Sequence, residues 1–399
     1  MPKIAYLTTC SPLGPTCGHA LRVNANWCAM RAIGETRVWA FASRPSPAER
    51  LTAREQGVIA LPARHEPRRA LLMRHLRACA AGRSMLYAKA MSPRRIGRIR
   101  RELEAWRTDL LVIGDTWLAD LLEPLRGAAR RIAIDTHNVE SRLYRQLLAE
   151  QRGVGGRIKY RLFLHNVRRL EARLAAADAV FAVSEADAAA YRAEQRLAHV
   201  HVLPNGLDTD RYRPGGEPVE PDSLVFTGSY GYWPNAAAAL HLIAMSKALS
   251  GRGVAHRMLL VGRDPTPAMI EAASGAPQVT IVGPVPEIRP YIARAALIVA
   301  PLTSGSGTKY KILEAMAMAR PVVTTPVGAE GLDLVDGRHA AIAPDLDRFA
   351  ERVTLLLAEP EQATAMGVAA REHVLATHSL AALERCLRRA MASMQELAP

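Results

Sequence analysis

Aromatic side chains make up only 5% of the 399 residues. The basic segments of the chain hold few of them, and bases of single-stranded nucleic acid need rings to stack on. A nucleic-acid partner is therefore not expected. No run of about 18 apolar residues occurs, so no membrane-crossing helix is expected either. Cysteine is scarce: Cys10, Cys17, Cys28, Cys79 and Cys386 are an odd number. None forms a CxxC pair or sits beside histidines at zinc-finger spacing, which argues against structural disulfides and zinc. The opening MPKIAYLTTCSPLGPTC lacks the charged start, apolar stretch and cleavage site of a signal peptide, and a cytosolic protein is expected. No strand is followed by GxGxxG with a downstream acid, which disfavours a NAD-dependent enzyme.

Acidic residues are scarce in one half only. The formal charge is +14; residues 1 to 200 hold 34 Lys+Arg and 18 Asp+Glu, a net of +16, leaving 52 − 34 = 18 against 38 − 18 = 20 for the remainder, a net of −2. Three segments with helical spacing carry most of the excess: residues 64 to 83, 92 to 107 and 156 to 175. Basic helices with apolar residues between the charges can lie on an anionic membrane surface. A merely solvated face is the alternative.

Short apolar runs alternate with longer helical patterns. Strands are predicted at 3 to 8, 37 to 42, 110 to 115, 131 to 135, 179 to 184 and 199 to 204, then at 223 to 228, 256 to 262, 279 to 283, 296 to 301 and 321 to 325. Apolar strands separated by helices indicate parallel sheets covered on both faces. The fold class is α/β with two Rossmann-like domains. The stretch 205 to 222, NGLDTDRYRPGGEPVEPD, is rich in turn residues and has no periodicity. The expected division is a basic domain 1–205, a linker and hinge 206–222, and a second domain 223–375. A terminal helix 376–399 is expected to pack back on the first domain. Past residue 328 the pattern is helical to the end.

Residues 301 to 323, PLTSGSGTKYKILEAMAMARPVV, place a glycine loop ahead of a helix predicted from near Thr308. Lys309 and Lys311 then fall in the first turn. Cations at that positive end cost about 0.3–1 kcal/mol each. A phosphate or diphosphate at the strand's carboxyl end would satisfy the helix N–H groups and explain the lysines. A solvated first turn is the alternative. Glu314 shares a face with Lys311 and stands where a carboxylate can accept ribose hydroxyls, or merely pair with the lysine.

GSGTKYKILEAMAMARPVV resembles the signature of the group 1 glycosyltransferases, retaining enzymes of GT-B architecture in which two facing Rossmann-like domains hold the donor in the cleft between them. GPTCGHALR near the N-terminus, DTHNVESRLY, FAVSEADAAAYR, VLPNGLDTDRYRP, FTGSYGYWPN and VTIVGPVPEIRPYIARAALIVAPL extend the resemblance over most of the chain. It implies that Glu314 binds the donor ribose and that Gly307, Thr308 and Lys309 hold the diphosphate. Val285 would contact the base, Gly18 would approach the phosphate or sugar from the acceptor domain, and His137 would contact the transferred sugar. Gly228 belongs to the first loop of the donor domain. Three positions depart from the family pattern: Ser306 replaces the first signature Glu, Ser229 and Asn235 replace the phosphate-binding Arg and Lys, and Arg320 replaces a Gly. A branch of the family has GT-[RK]-x-K-x-LEAMA with PN in the earlier loop, which implies an exchange of charges, Lys309 and Lys311 for the two lost.

The implied reaction moves a sugar from a nucleoside-diphosphate donor to an acceptor hydroxyl with retention. Fixed N–H groups and lysines would stabilise the departing diphosphate. No cofactor and no metal are expected, since the cleft-forming loops offer no DxD. Lys311, Glu314 and His137 are the catalytic candidates; Asp135 and Glu140, flanking His137, are reserve bases. The basic first domain suits a glycan or lipid-linked anionic acceptor at the inner membrane face, as in bacterial cell-surface polysaccharide or glycolipid synthesis. An inactive relative that binds nucleotide-sugar as an assembly partner and a sugar-nucleotide epimerase are the competing readings.

Overall fold

The computed structural model describes residues 1–14, 17–42, 57–62, 73, 77–78, 82–84, 91–151, 153–305 and 307–396. The chain forms two compact units, Met1–Gly206 with Leu383–Pro399, and Leu207–Ala382.

The first unit is built on a seven-stranded sheet. Its strands are β1 (Lys3–Thr8), β2 (Glu35–Ala42), β3 (Val58–Pro62), β4 (Leu110–Gly114), β5 (Arg131–Asp135), β6 (Ala179–Ala182) and β7 (Val200–Val202). Their order is β3-β2-β1-β4-β5-β6-β7, and every pairing is parallel. Ile4 to Leu7 and Leu111 to Ile113 are wholly buried, the burial on both faces that continuous apolar strands require. Chain direction across the sheet reverses between β1 and β4, where Thr8 is level with Gly114. The helix Gly18–Ile33 follows β1, and residues 383–396 of the helix Leu380–Glu396 close the unit. Leu383 fills the space that a Cβ on Gly206 would occupy.

The second unit has six parallel strands: β8 (Glu220–Thr227), β9 (Arg257–Val261), β10 (Val279–Gly283), β11 (Ala295–Ala300), β12 (Val322–Thr324) and β13 (Ala341–Ile342). The order β10-β9-β8-β11-β12-β13 again reverses beside the first strand, between β8 and β11. Such a switch point opens a crevice at the strands' carboxyl ends. Gly262, leaving β9, has φ 155, and a Cβ there would lie 1.6 Å from the Gly228 carbonyl oxygen. The two strand ends therefore meet with no room for a side chain.

Several expectations are corrected. Strands β3 and β13, both at sheet edges, were not predicted, and the two-residue β13 interrupts the helical stretch expected after residue 328. The segment 205 to 222 is not free linker: Asn205, Leu207 and Tyr212 are buried, the Leu207 N–H donates to the His378 carbonyl, and β8 already begins at Glu220. The helix predicted from near Thr308 spans Tyr310–Ala317 with Lys309 as its N-cap.

That helix ends in a Schellman turn, the Arg320 N–H donating to Ala315 carbonyl at 3.0 Å. The left-handed residue such a turn needs is Ala319, at φ 54. The glycine of the family signature therefore corresponds to Ala319, not Arg320. A left-handed alanine costs roughly 1–2 kcal/mol, and the freer unfolded chain of a glycine takes back about 0.4–1 kcal/mol. Ala319→Gly should thus raise stability by about 0.5–1 kcal/mol in urea unfolding; a loss of stability would show that the turn carries no such strain.

Candidate functional site

At the switch point of the second unit, the loop after β8 meets the helix after β11. The Lys311 ammonium donates to Asn235 Oδ1 at 2.6 Å and lies 4.2 Å from the centre of the Phe226 ring. Asn235 in turn donates to the Ser229 carbonyl at 2.9 Å. A Cβ on Gly228 would stand 3.0 Å from both the lysine nitrogen and the Asn235 amide nitrogen, so glycine keeps this corner open. Gly228, Ser229, Asn235 and Lys311 are therefore one cluster. The cation at this corner comes from position 311, and Asn235 holds it.

Burial pushes the Lys311 amine down to about 7, with Lys309 adding to the effect and Glu314 opposing it. Glu314, 5% exposed, is pushed up to about 7 by the same burial, against the pull of Tyr212 and Lys311. Lys309 donates to the Gly307 carbonyl and lies 3.7 Å from Glu330. Gly307, half-buried, has φ 70, a left-handed angle that favours glycine. Thr308 is half-buried beside it, Val285 is half-buried in the turn after β10, and Ser306 lies outside the described residues.

Sequence reasoning missed several neighbours. Tyr212 bonds to Glu314, and burial followed by that carboxylate raises its hydroxyl. It sits in the stretch read as linker, where a lone aromatic between arginines was the available signal. Glu287 is held down at about 2, first by its hydrogen bond from Arg289 and also by Arg211, which lies 3.3 Å away. Arg263, from the loop after β9, donates to Ser229 Oγ at 3.3 Å, bringing a half-exposed cation to this loop.

In the first unit the strand-end residues form a second cluster. Gly18 is the exposed first residue of its helix. His19 stacks on His137 with ring centres 4.2 Å apart and 19° between planes, and its Nε2 lies 2.5 Å from Thr9 Oγ1. Burial lowers His19 to about 4 and His137 well below the usual histidine range, so both rings are neutral near pH 7. His137 Nε2 is buried with no hydrogen-bond partner among the described residues. Asp115 completes the group, its ligand atom within 4.8 Å of those of both histidines. An ion held by all three would require one ring to turn out of the stack, because imidazole ligates in its own plane.

Asp115 has φ 155 and accepts the Trp117 N–H at 2.9 Å. Burial pushes its carboxyl up to about 8. A raised acid binds its proton in the folded chain while the unfolded chain has released it, so stability falls as pH rises from about 4 to 8. Asp115→Asn keeps the cap and removes the titration. The variant should melt above wild type at pH 8, with the gap closing towards pH 4; a gap constant with pH would assign Asp115 an ordinary ionisation.

Asp135, a reserve base, is spent. It is wholly buried, ion-paired with Arg22, and accepts from Asn26 at 2.8 Å. Glu140, the other reserve, accepts from Asn138 at 2.9 Å, and burial pushes it to about 7.

Two parallel Rossmann-like sheets, each gathering polar groups at the carboxyl edge beside its switch point, define the GT-B class of glycosyltransferase folds. The profile "Glycosyltransferase Family 4" matches residues 37–211, and "Glycosyl transferases group 1" matches residues 221–359. The chain belongs to the group 1 glycosyltransferases. Sucrose-phosphate synthase from Thermosynechococcus elongatus is similar in structure, with TM-score 0.73 and 17% identity over 100% of both chains. Anabaena HepE, solved with UDP, gives 0.67 and 13% over 98% of this chain and 100% of its own; it has also been solved with UDP and glucose and with UDP-glucose. WaaG, described as a glycosyltransferase involved in lipopolysaccharide biosynthesis, gives 0.63 and 16% over 98% and 99%. A comparison with curated proteins finds no match.

Proposed function

We propose that this glycosyltransferase is a retaining, metal-independent enzyme that moves a sugar from a nucleoside-diphosphate sugar to an acceptor hydroxyl. The observation that carries the reading is the Lys311 ammonium on Asn235 beside Gly228: a cation, an open backbone corner and a helix N-terminus together favour a diphosphate. Lys311, Lys309 and the N–H groups from Gly307 and Thr308 onward receive the charge that develops on the leaving phosphate. Glu314, aligned by Tyr212, takes the ribose hydroxyls. Val285 borders the base, and Gly18 and neutral His137 serve the sugar. With Asp135 occupied by Arg22, the leaving phosphate oxygen takes the acceptor proton as the new bond forms on the same face.

The UDP complexes of HepE support a uridine nucleotide, and the role of WaaG supports an acceptor in cell-surface polysaccharide or glycolipid assembly. The reading places the enzyme in the cytoplasm, with its basic first unit on an anionic membrane. An inactive nucleotide-sugar binder is the second reading, favoured by serine at positions 229 and 306. The test is a melting-temperature panel with UDP, GDP, ADP, dTDP and CMP, followed by donor turnover with and without EDTA. One diphosphate at about 100 times its Kd should add roughly 2.7 kcal/mol, and chelator-resistant turnover should follow. No response to any nucleotide would overturn the donor site; binding without turnover would establish the second reading; loss of turnover in EDTA would overturn the metal independence.

A further inference from the structure

The helix Val154–Ala172 of the first unit buries only its carboxyl-terminal half, through Leu164, Val167 and Leu170. Its other half exposes Val154 (75%), Ile158 (55%) and Leu162 (60%). Spaced four apart, these three form one stripe. Arg161, His165 and Arg168 share the outward face, and Arg157 and Lys159 flank it, all exposed. The helix's one acid, Glu171, is buried and accepts from the Ser141 N–H at 2.9 Å. No carboxylate of the helix stands among the outward cations.

Single exposed apolar residues are ordinary, and the contrast within this unit is informative. The helix Pro93–Trp106, also basic, turns Ile96, Ile99, Leu103 and Trp106 inward and sets Arg98 and Arg100 beside Glu102 and Glu104. The third basic segment, 64 to 83, lies almost wholly outside the described residues. Among the described residues of the three basic segments, only the 154–172 helix combines an outward apolar stripe with cations that no helix acid answers. The rings of Tyr160 and Phe163 face the other way, Phe163 stacking on Tyr144 at 5.5 Å, so the outward face is aliphatic and cationic. Long cationic chains around an apolar stripe suit a boundary between water and headgroups.

We infer that this helix is the surface by which the protein docks on an anionic lipid bilayer. Val154, Ile158 and Leu162 enter the headgroup boundary, and Arg157, Lys159, Arg161 and Arg168 meet lipid phosphates. A second copy of the chain is a poor occupant, since a two-fold contact would set like charges against each other. The inference deepens the membrane partner proposed above, and nucleotide binding in the second unit does not depend on it.

The test is co-sedimentation of the full chain with vesicles of phosphatidylcholine alone and of an equimolar mixture with phosphatidylglycerol, at low and high salt. Wild type should bind the anionic vesicles at least roughly tenfold more tightly, and salt should weaken the binding. The variant I158S/L162S should lose roughly tenfold and keep its salt dependence, whereas R157Q/K159Q/R161Q should lose both affinity and salt dependence. Each should keep the wild-type nucleotide response. Equal recovery on both vesicles, or variants that bind as wild type does, would overturn the inference. So would a wild-type dimer that I158S/L162S converts to monomer in light scattering.

Discussion

Changing Lys311 to alanine is expected to remove the rise in melting temperature that a nucleoside diphosphate gives the wild-type chain, and to lower kcat/KM by roughly 10²–10³-fold. The effect is large because the ammonium is held before the ligand arrives. Asn235 fixes it at 2.6 Å and Phe226 lies behind it, so little reorganisation opposes its interaction with a developing phosphate charge. A pH profile gives an independent check. The free amine is pushed down to about 7, and a bound anion favours its protonated form. Affinity should therefore be greatest below pH 7 and fall above it, by at most about tenfold per unit. Glu314, also near 7, acts in the opposite direction if its carboxylate form takes the ribose, so the lysine's fall should be cleanest in Glu314→Gln. A Lys311→Ala variant with undiminished nucleotide response would remove this residue from the donor site.

The second large effect concerns folding. Arg22, 2% exposed, pairs with wholly buried Asp135 and also donates to the Leu203 carbonyl at 3.0 Å and Asn205 Oδ1 at 2.9 Å. It thereby ties the helix Gly18–Ile33 to β5 and to the chain leaving β7. Arg22→Met leaves a buried carboxylate without its counter-charge, and such losses cost about 3–5 kcal/mol. Against total stabilities of about 5–15 kcal/mol, urea unfolding of the first unit should move to much lower concentration. Asp135→Asn in the same background should recover part of the loss, because the orphaned charge is then gone. A cost below about 1 kcal/mol for Arg22→Met would mean that the pair contributes nothing net.

The fold was legible where burial on both faces produces an uninterrupted apolar run. KIAYLT and RIAID correspond residue for residue to β1 and β5. Edge strands lack that signal, and β13 is only two residues long. The lysines after β11 were legible as cations at the wrong end of a helix. Their meaning was half hidden, because Asn235 reads as a lost charge until folding sets Lys311 against it. His19, Asp115 and His137 were the least legible, since they follow three different strands, His19 from within the helix after β1, and only the β1-β4-β5 order makes them neighbours. Ala319 shows the remaining limit: sequence suggests that a glycine is missing, and the backbone angle decides which residue stands in for it.

The division of the chain has a consequence for its synthesis. The first unit is interrupted by the whole of the second and regains its last helix only at residues 383–396. Leu383, Leu387, Ala390 and Met394 of that helix are buried, yet the ribosome delivers them after every strand of both sheets. A chain truncated after residue 382 should show a protease-resistant second unit and a first unit still open to cleavage; equal resistance of the two would contradict this. The unit that begins first is thus completed last, and it waits with its sheet formed and one flank uncovered while its neighbour matures.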